Sequence, residues 1–167
     1  LASFRPEIPD GEQDEHRSVK IVVDCSGSMG GDSIAQARAA IERILDGLRQ
    51  DDLFEIMAFG SSYQMLFGRE MPVSEETLAQ ARSFVRDIDA NMGGTEIEAA
   101  LDAAYEIRSE ADLSRDLLLI TDGETWNRDE VFASAKKSGH RIFTVGVGSS
   151  VAESFVAGLA EATGGAC

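Results

Sequence analysis

A doubly wound, three-layer α/β fold with a mostly parallel sheet is what this sequence predicts, on three observations. Short apolar runs alternate with longer stretches in which apolar residues recur at helical spacing. Those stretches are long enough to serve as crossovers between parallel strands. Two of the runs, residues 18–24 and 117–121, are almost continuously apolar, as strands covered on both faces are.

Taken in order, residues 1–17 hold Pro6, Pro9 and Gly11 among scattered charges and read as a leader or linker arm, leaving 18–167 as one domain. The strand at 18–24 is interrupted only by Lys20, and Gly27, Gly30 and Gly31 then form a tight turn. From Ile34 the period becomes helical, with Ile34, Ala37, Ile41, Ile44 and Leu48 on one face. Residues 52–59 read as a second strand and 63–67 as a short third. The Gly60-Ser61-Ser62 turn between them makes a hairpin, hence one antiparallel edge strand.

Ser74 is a good N-cap, with Glu75 and Glu76 placed where the helix dipole favours them. Leu78, Ala81, Val85 and Ile88 form that helix's stripe. Asn91-Met92-Gly93-Gly94 is a loop, and Thr95-Glu96-Ile97-Glu98 matches a capping box for a helix carrying Ile97, Leu101 and Ala104. The strand at 117–121 ends at Asp122-Gly123. A helix over about 129–138, a strand at 141–147 and a helix over about 151–160 follow. A final strand is expected to be very short or cut away.

Composition narrows the function. Thirty acidic against fifteen basic residues give a net charge of −15, which repels phosphate backbones and anionic membranes and favours cations and basic partners. No apolar run reaches the 18 or so residues of a membrane span, and Leu1–Glu7 lacks the apolar core of a signal peptide. A chain that begins at Leu looks like a fragment or processed form of a longer multidomain protein. Its compartment is left open, an extracytoplasmic or secreted parent being one option. Cys25 and Cys167 lack the spacing of zinc or redox pairs, and Cys25 reads as a small buried hydrophobe.

The chemistry gathers at strand ends. Asp24 and Asp122 each lie just past the C-terminal end of a buried strand, where doubly wound sheets open their ligand crevice. If those two strands are central neighbours, both carboxylates enter one crevice. Ser26 and Ser28 turn toward the same point, and Thr95 adds a hydroxyl from a loop whose glycines allow close approach. Oxygen-only ligation with few charges suits Mg²⁺, or Mn²⁺ or Ca²⁺ in its place, and does not suit structural zinc.

At these residues the sequence resembles the von Willebrand factor A domains and their metal-ion-dependent adhesion site. The family pattern is Asp-x-Ser-x-Ser after the first strand, a Thr in a middle loop and an Asp after a later strand. Here it stands as Asp24-Cys25-Ser26-Gly27-Ser28, Thr95 within Gly93-Gly94-Thr95-Glu96-Ile97, and Asp122 within Ile120-Thr121-Asp122-Gly123. The Ser74-Glu75-Glu76-Thr77-Leu78 helix before that middle loop looks most like the inter-alpha-trypsin inhibitor heavy chain type and its bacterial relatives. The resemblance implies a Rossmann-like fold and direct metal contact by Ser26, Ser28 and at times Thr95. Asp24 and Asp122 would act directly or through water, and a partner protein's Glu or Asp would fill an open position. The implied function is a non-enzymatic, adhesion-type protein-binding module. Trp126 is a candidate partner contact, and Met29 and Met92 border the metal on the same reasoning. Glu96 and Glu124 flank the crevice as solvated groups.

Other readings compete. As a hydrolase, the chain offers Ser26 or Ser28 outside Gly-x-Ser-x-Gly, and its histidines, His16 and His140, fall in the arm and at the wrong end of the sheet. Metal-assisted phosphoryl transfer lacks an Asp-x-Asp at either strand end and a crevice Lys. Gly27-Ser28-Met29-Gly30-Gly31 and Gly146-Val147-Gly148 fit neither nucleotide-binding fingerprint. A structural scaffold with an unused site remains the second alternative.

Overall fold

The structure, a computed structural model, describes residues 16–108, 114–149 and 151–167. Most of the expected leader therefore lies outside the described residues, and Arg17 already belongs to the first strand. That strand, β1 (Arg17–Asp24), lies between β2 (Leu53–Phe59) and β5 (Ser114–Thr121), parallel to both. With β3 (Tyr63–Met65) outside β2 and β6 (Arg141–Gly146) outside β5, the order is β3-β2-β1-β5-β6. The chain leaves β1 toward β2 on one side and later returns beside it as β5. The order reverses between β1 and β5, so the two acid-ended strands are central neighbours, the condition on which a shared crevice depended.

Alternate side chains of these strands enter two cores. Ile21 and Val23 of β1, with Phe54, Ile56, Leu118 and Ile120, face α1 (Asp32–Gly47) and α2 (Glu75–Asp87). Val22, Met57, Phe59, Leu117, Leu119 and Ile142 face α3 (Ile97–Glu106), α4 (Arg128–Ser138) and α5 (Glu153–Thr163). Each buried Val, Leu or Ile contributes about 1.5–3 kcal/mol relative to exposure. Helices cover both faces, so a central strand has no polar side, and this produces the unbroken apolar runs in the sequence. Among the described residues no helix is long and apolar enough to cross a membrane.

Several boundaries differ from the sequence expectation. The antiparallel edge is in two pieces: β3 ends at Met65, and β4 (Met71–Pro72) pairs with the other end of β2. The buried carboxylate of Glu55 accepts from the Phe67 amide at 3.0 Å and so draws the intervening chain into a loop. Pro72, with no amide hydrogen, limits the second piece. Ser74 caps α2 through a reciprocal box in which the Thr77 amide donates to its Oγ at 3.1 Å and its own amide donates to Thr77 Oγ1 at 2.9 Å. The box expected at Thr95 does not form. The Glu96 amide donates instead to the Gly60 carbonyl at 3.0 Å, so Glu96 becomes the N-cap and the helix opens at Ile97. After α5 the chain returns to β6, where the Thr144 amide donates to the Ala166 carbonyl at 2.9 Å.

Lys20, the one polar interruption of β1, is buried, and its Nζ donates to the Ile107 carbonyl at 2.8 Å and lies 3.0 Å from His140 Nε2. Burial and the Lys20 charge hold the His140 imidazole down to about 4, leaving it neutral at physiological pH. His140 precedes β6 and sits at the end of the sheet opposite Asp24, so it has no access to Ser26 or Ser28.

Replacing Ser74 by Ala removes one partner of the capping box and is expected to cost about 1 kcal/mol. Urea unfolding should show a lower midpoint at an unchanged slope. An unchanged midpoint would mean that the cap is dispensable.

Candidate metal centre

The C-terminal row of the sheet reads Tyr63, Phe59, Asp24, Thr121 and Gly146 across five of its six strands. Asp24 ends β1 at the centre of that row and is completely buried. Its Oδ1 accepts from the Ser26 amide at 2.9 Å, which folds the chain into a tight turn directly after the strand. Its Oδ2 accepts from Thr121 Oγ1 at 2.7 Å, and Thr121 Oγ1 accepts in turn from the Gly123 amide at 3.0 Å. One carboxylate thus joins the turn after β1 to the turn after β5.

The hydroxyls of Ser26 and Ser28 lie 3.1 Å apart, Ser26 buried and Ser28 exposed at the turn's surface. Asp122 is buried beside them, and its Oδ1 accepts from the Glu124 amide at 3.1 Å. The loop carrying Thr95 is fastened from two directions. The Gly27 amide donates to the Gly93 carbonyl at 2.8 Å, and the Met92 amide donates to the Cys25 carbonyl at 3.0 Å. From the β2–β3 turn, the Ser61 amide donates to the Met92 carbonyl at 2.7 Å, and the Gly94 amide donates to Ser61 Oγ at 2.7 Å. Gly93 has φ +82°, and a Cβ there would lie 2.7 Å from Ser61 Oγ, so both conformation and space require glycine. Thr95 is therefore held, half-buried, on the same rim as Ser28.

Burial raises the Asp24 carboxyl above its ordinary range, and the neighbouring Asp122 charge adds to the effect. Hydrogen bonds from Ser26 and Thr121 oppose it in part. Among the described residues no Lys or Arg forms an ion pair with Asp24 or Asp122, so this negative charge has no counterion from the protein. The Ser26–Ser28 separation of 3.1 Å is that of a hydrogen bond, and adjacent oxygen ligands of a divalent cation stand about as far apart. An uncompensated buried carboxylate beside two hydroxyls fits a hard, oxygen-seeking divalent cation. Among the described residues no three His, Cys, Asp or Glu side chains cluster as a metal site, so a cation here would depend on hydroxyls. Cys25 is no alternative ligand, because burial and the Asp24 charge push its thiol up to about 12.

The candidate partner contacts divide. Trp126 is 97% exposed. Met92 is half-buried against the α1–α2 core. Met29 is fully buried in that core and offers no surface to a partner, which corrects the expectation from its place in the turn. The 3₁₀ turn Gly27–Met29 points its third side chain inward beneath α1, while Ser28 stays outside. The sequence reading missed Thr121 and Ser61. Thr121 becomes visible only once β1 and β5 are in register. Ser61 lay inside what read as a plain hairpin turn.

These features define an α/β domain with a hydroxyl-and-carboxylate centre at the topological switch point of its sheet. The chain belongs to the von Willebrand factor A family: a model of the von Willebrand factor type A domain matches residues 17–167. A von Willebrand factor A domain-containing protein of Dictyostelium discoideum is 34% identical over 167 residues, covering 98% of this chain and 18% of its own length. Human von Willebrand factor A domain-containing protein 5A is 30% identical over 177 residues, covering 99% of this chain and 22% of its own length. The chain thus spans about a fifth of the length of these relatives. Among solved structures, the manganese-loaded TRAP protein of Plasmodium vivax superposes with a TM-score of 0.74 at 23% identity, over 88% of this chain and 63% of that one. Proximal thread matrix protein 1 of the mussel byssus, with zinc in its MIDAS motif, gives 0.72 at 17% identity, over 91% and 41%.

For a carboxyl raised by folding, stability is fullest at low pH and is lost as the pH rises through the raised value. In cation-free protein at neutral pH, Asp24 is therefore a cost. Asp24→Asn is expected to melt at the same temperature as the parent or higher in EDTA, and to lose less stability between acid and neutral pH. A markedly lower melting temperature would overturn this account of the charge.

Proposed function

We propose that this domain is a metal-dependent protein-binding module that captures an acidic side chain of a partner through a bound Mg²⁺, with Mn²⁺ or Ca²⁺ as substitutes. Asp24, Ser26, Ser28, Thr95 and Asp122 would hold the cation. The observation that carries the reading is the buried, uncompensated Asp24 carboxylate beside the Ser26–Ser28 hydroxyl pair. Neutral hydroxyls leave a cation under-neutralised, so it remains a strong acceptor for an incoming Glu or Asp. An acidic protein can thereby recruit an acidic group. Two structural neighbours that carry manganese and zinc support cation binding. The reading is of a binding module and not an enzyme. The Ser74–Leu78 helix supports placing it with the inter-alpha-trypsin inhibitor heavy chain type.

Calorimetric titration of EDTA-stripped protein with Mg²⁺ and Mn²⁺ is expected to give one saturating event. Asp122→Ala, and Ser26→Ala combined with Ser28→Ala, should abolish it while leaving circular dichroism unchanged. Undiminished affinity in these folded variants would refute the assignment.

Because the Asp24 carboxyl holds its proton above the usual carboxylate range, near pH 4, a cation must compete with that proton. Affinity should fall as the pH drops through the raised range, with proton release on binding. A flat profile down to pH 4 would separate the ion from Asp24.

A further inference from the structure

Among the described residues, the large hydrophobic side chains left exposed are Trp126, at 97%, and Tyr63, at 49%. Both stand at the end of the sheet that carries the candidate metal centre. Tyr63 lies in the same row as Asp24, two strands away, or about 10 Å of backbone spacing. Trp126 lies on the other side, in the turn that runs from Asp122 to the start of α4. The two aromatic side chains thus bracket the centre.

The loops between them carry charge of one sign, and the nearest base, Arg128 at the start of α4, is turned toward Ser154 and the Phe155 ring. The described loops at this end, residues 24–31, 60–62, 88–96, 122–127, 147–149 and 151–152, contain Asp24, Asp89, Glu96, Asp122 and Glu124, and no Lys, Arg or His. Asp89 pairs with Arg38 from α1 at 3.9 Å. The other four form no ion pair among the described residues, and Glu96 and Glu124 are exposed. A single divalent cation does not neutralise them. A partner carboxylate set among further acids would be repelled by the rim it must cross, whereas flanking cations would meet it favourably. Exposed aromatic faces attract the same groups, Arg above all.

We propose that the partner segment recognised here presents its metal-seeking Glu or Asp between basic residues. The carboxylate would reach the cation while flanking Arg or Lys side chains lie over Trp126 and Tyr63 and against Glu96 and Glu124. This rests on the carboxylate-capture reading and adds the composition of the partner.

Trp126 is the single tryptophan of the chain, so its fluorescence reports directly on this surface. The probes are capped seven-residue peptides with a central Glu, spaced by Gly from two Arg, two Ala or two Asp, together with an Arg-flanked peptide whose centre is Gln. In saturating Mg²⁺ and low salt, the Arg-flanked Glu peptide is expected to bind about tenfold more tightly than the Ala-flanked one and to shift the Trp126 emission. The Asp-flanked peptide should bind most weakly, and added salt should narrow the differences. Read by calorimetry, Trp126→Ala should lower the affinity of the Arg-flanked peptide about threefold with Mg²⁺ affinity unchanged. Glu96→Gln with Glu124→Gln should remove most of the remaining preference.

Equal binding of the Arg- and Ala-flanked Glu peptides, still dependent on Mg²⁺, would overturn the basic-flank inference and leave carboxylate capture standing. Equal binding of the Glu and Gln peptides, in Mg²⁺ or EDTA alike, would overturn the capture reading itself. Failure of every peptide to bind in Mg²⁺ would overturn both.

Discussion

The hydrogen bond between Asp24 and Thr121 is the contact on which the candidate centre depends. It joins the ends of two adjacent parallel strands and fixes the carboxylate at the point where the sheet's connections diverge. At that point one crossover leaves toward β2 and another toward β6, so no backbone covers the strand ends. A carboxylate there is buried by its neighbours yet still faces a crevice. Its second oxygen holds the Ser26 amide, which directs the Ser26 and Ser28 hydroxyls to the same place. Position, burial and donor set therefore follow from one residue held at the end of one strand.

The other half of the centre is built from backbone. The turn after β1, the loop before α3 and the β2–β3 turn exchange amide–carbonyl bonds in a closed set. Glycine recurs in this set because the chains approach too closely for side chains: a Cβ on Gly60 would collide with the Met92 carbonyl, and one on Gly93 with Ser61. The Thr95 hydroxyl is located by this backbone set, and Thr95 makes no cap of its own. The same constraint moves the start of α3, since the Glu96 amide serves the β2–β3 turn.

Electrostatics tie this local design to the whole chain. Leaving two buried carboxylates without a protein cation is destabilising unless a cation or proton arrives. The acidic loops around them raise the local attraction for cations in general. At the opposite end of the sheet, Lys20 and His140 form a separate buried pair whose imidazole is kept neutral. The other buried acids among the described residues, Asp52 just before β2 and Glu55 within it, lie toward this same end and accept from backbone amides.

The sequence by itself determined the layer architecture and the candidate ligands. Strands covered on both faces must be continuously apolar, helices must alternate, and Asp24, Ser26, Ser28 and Asp122 follow strand ends that can be read from hydropathy. It also determined the Ser74 cap, because that motif is local in the chain. Tertiary structure alone decided whatever depends on residues far apart in sequence. Thr121 meets Asp24 only through strand register, and the split of β3 from β4 follows from a carboxylate, Glu55, buried twelve positions before its Phe67 partner. The Thr95 box fails because its helix's first amide is claimed by a distant carbonyl, and Met29 is hidden because α1 packs over the turn that carries it. Short-range pattern specifies which elements form, and the competition for buried hydrogen-bond partners, settled only on packing, specifies which side chains remain at the surface.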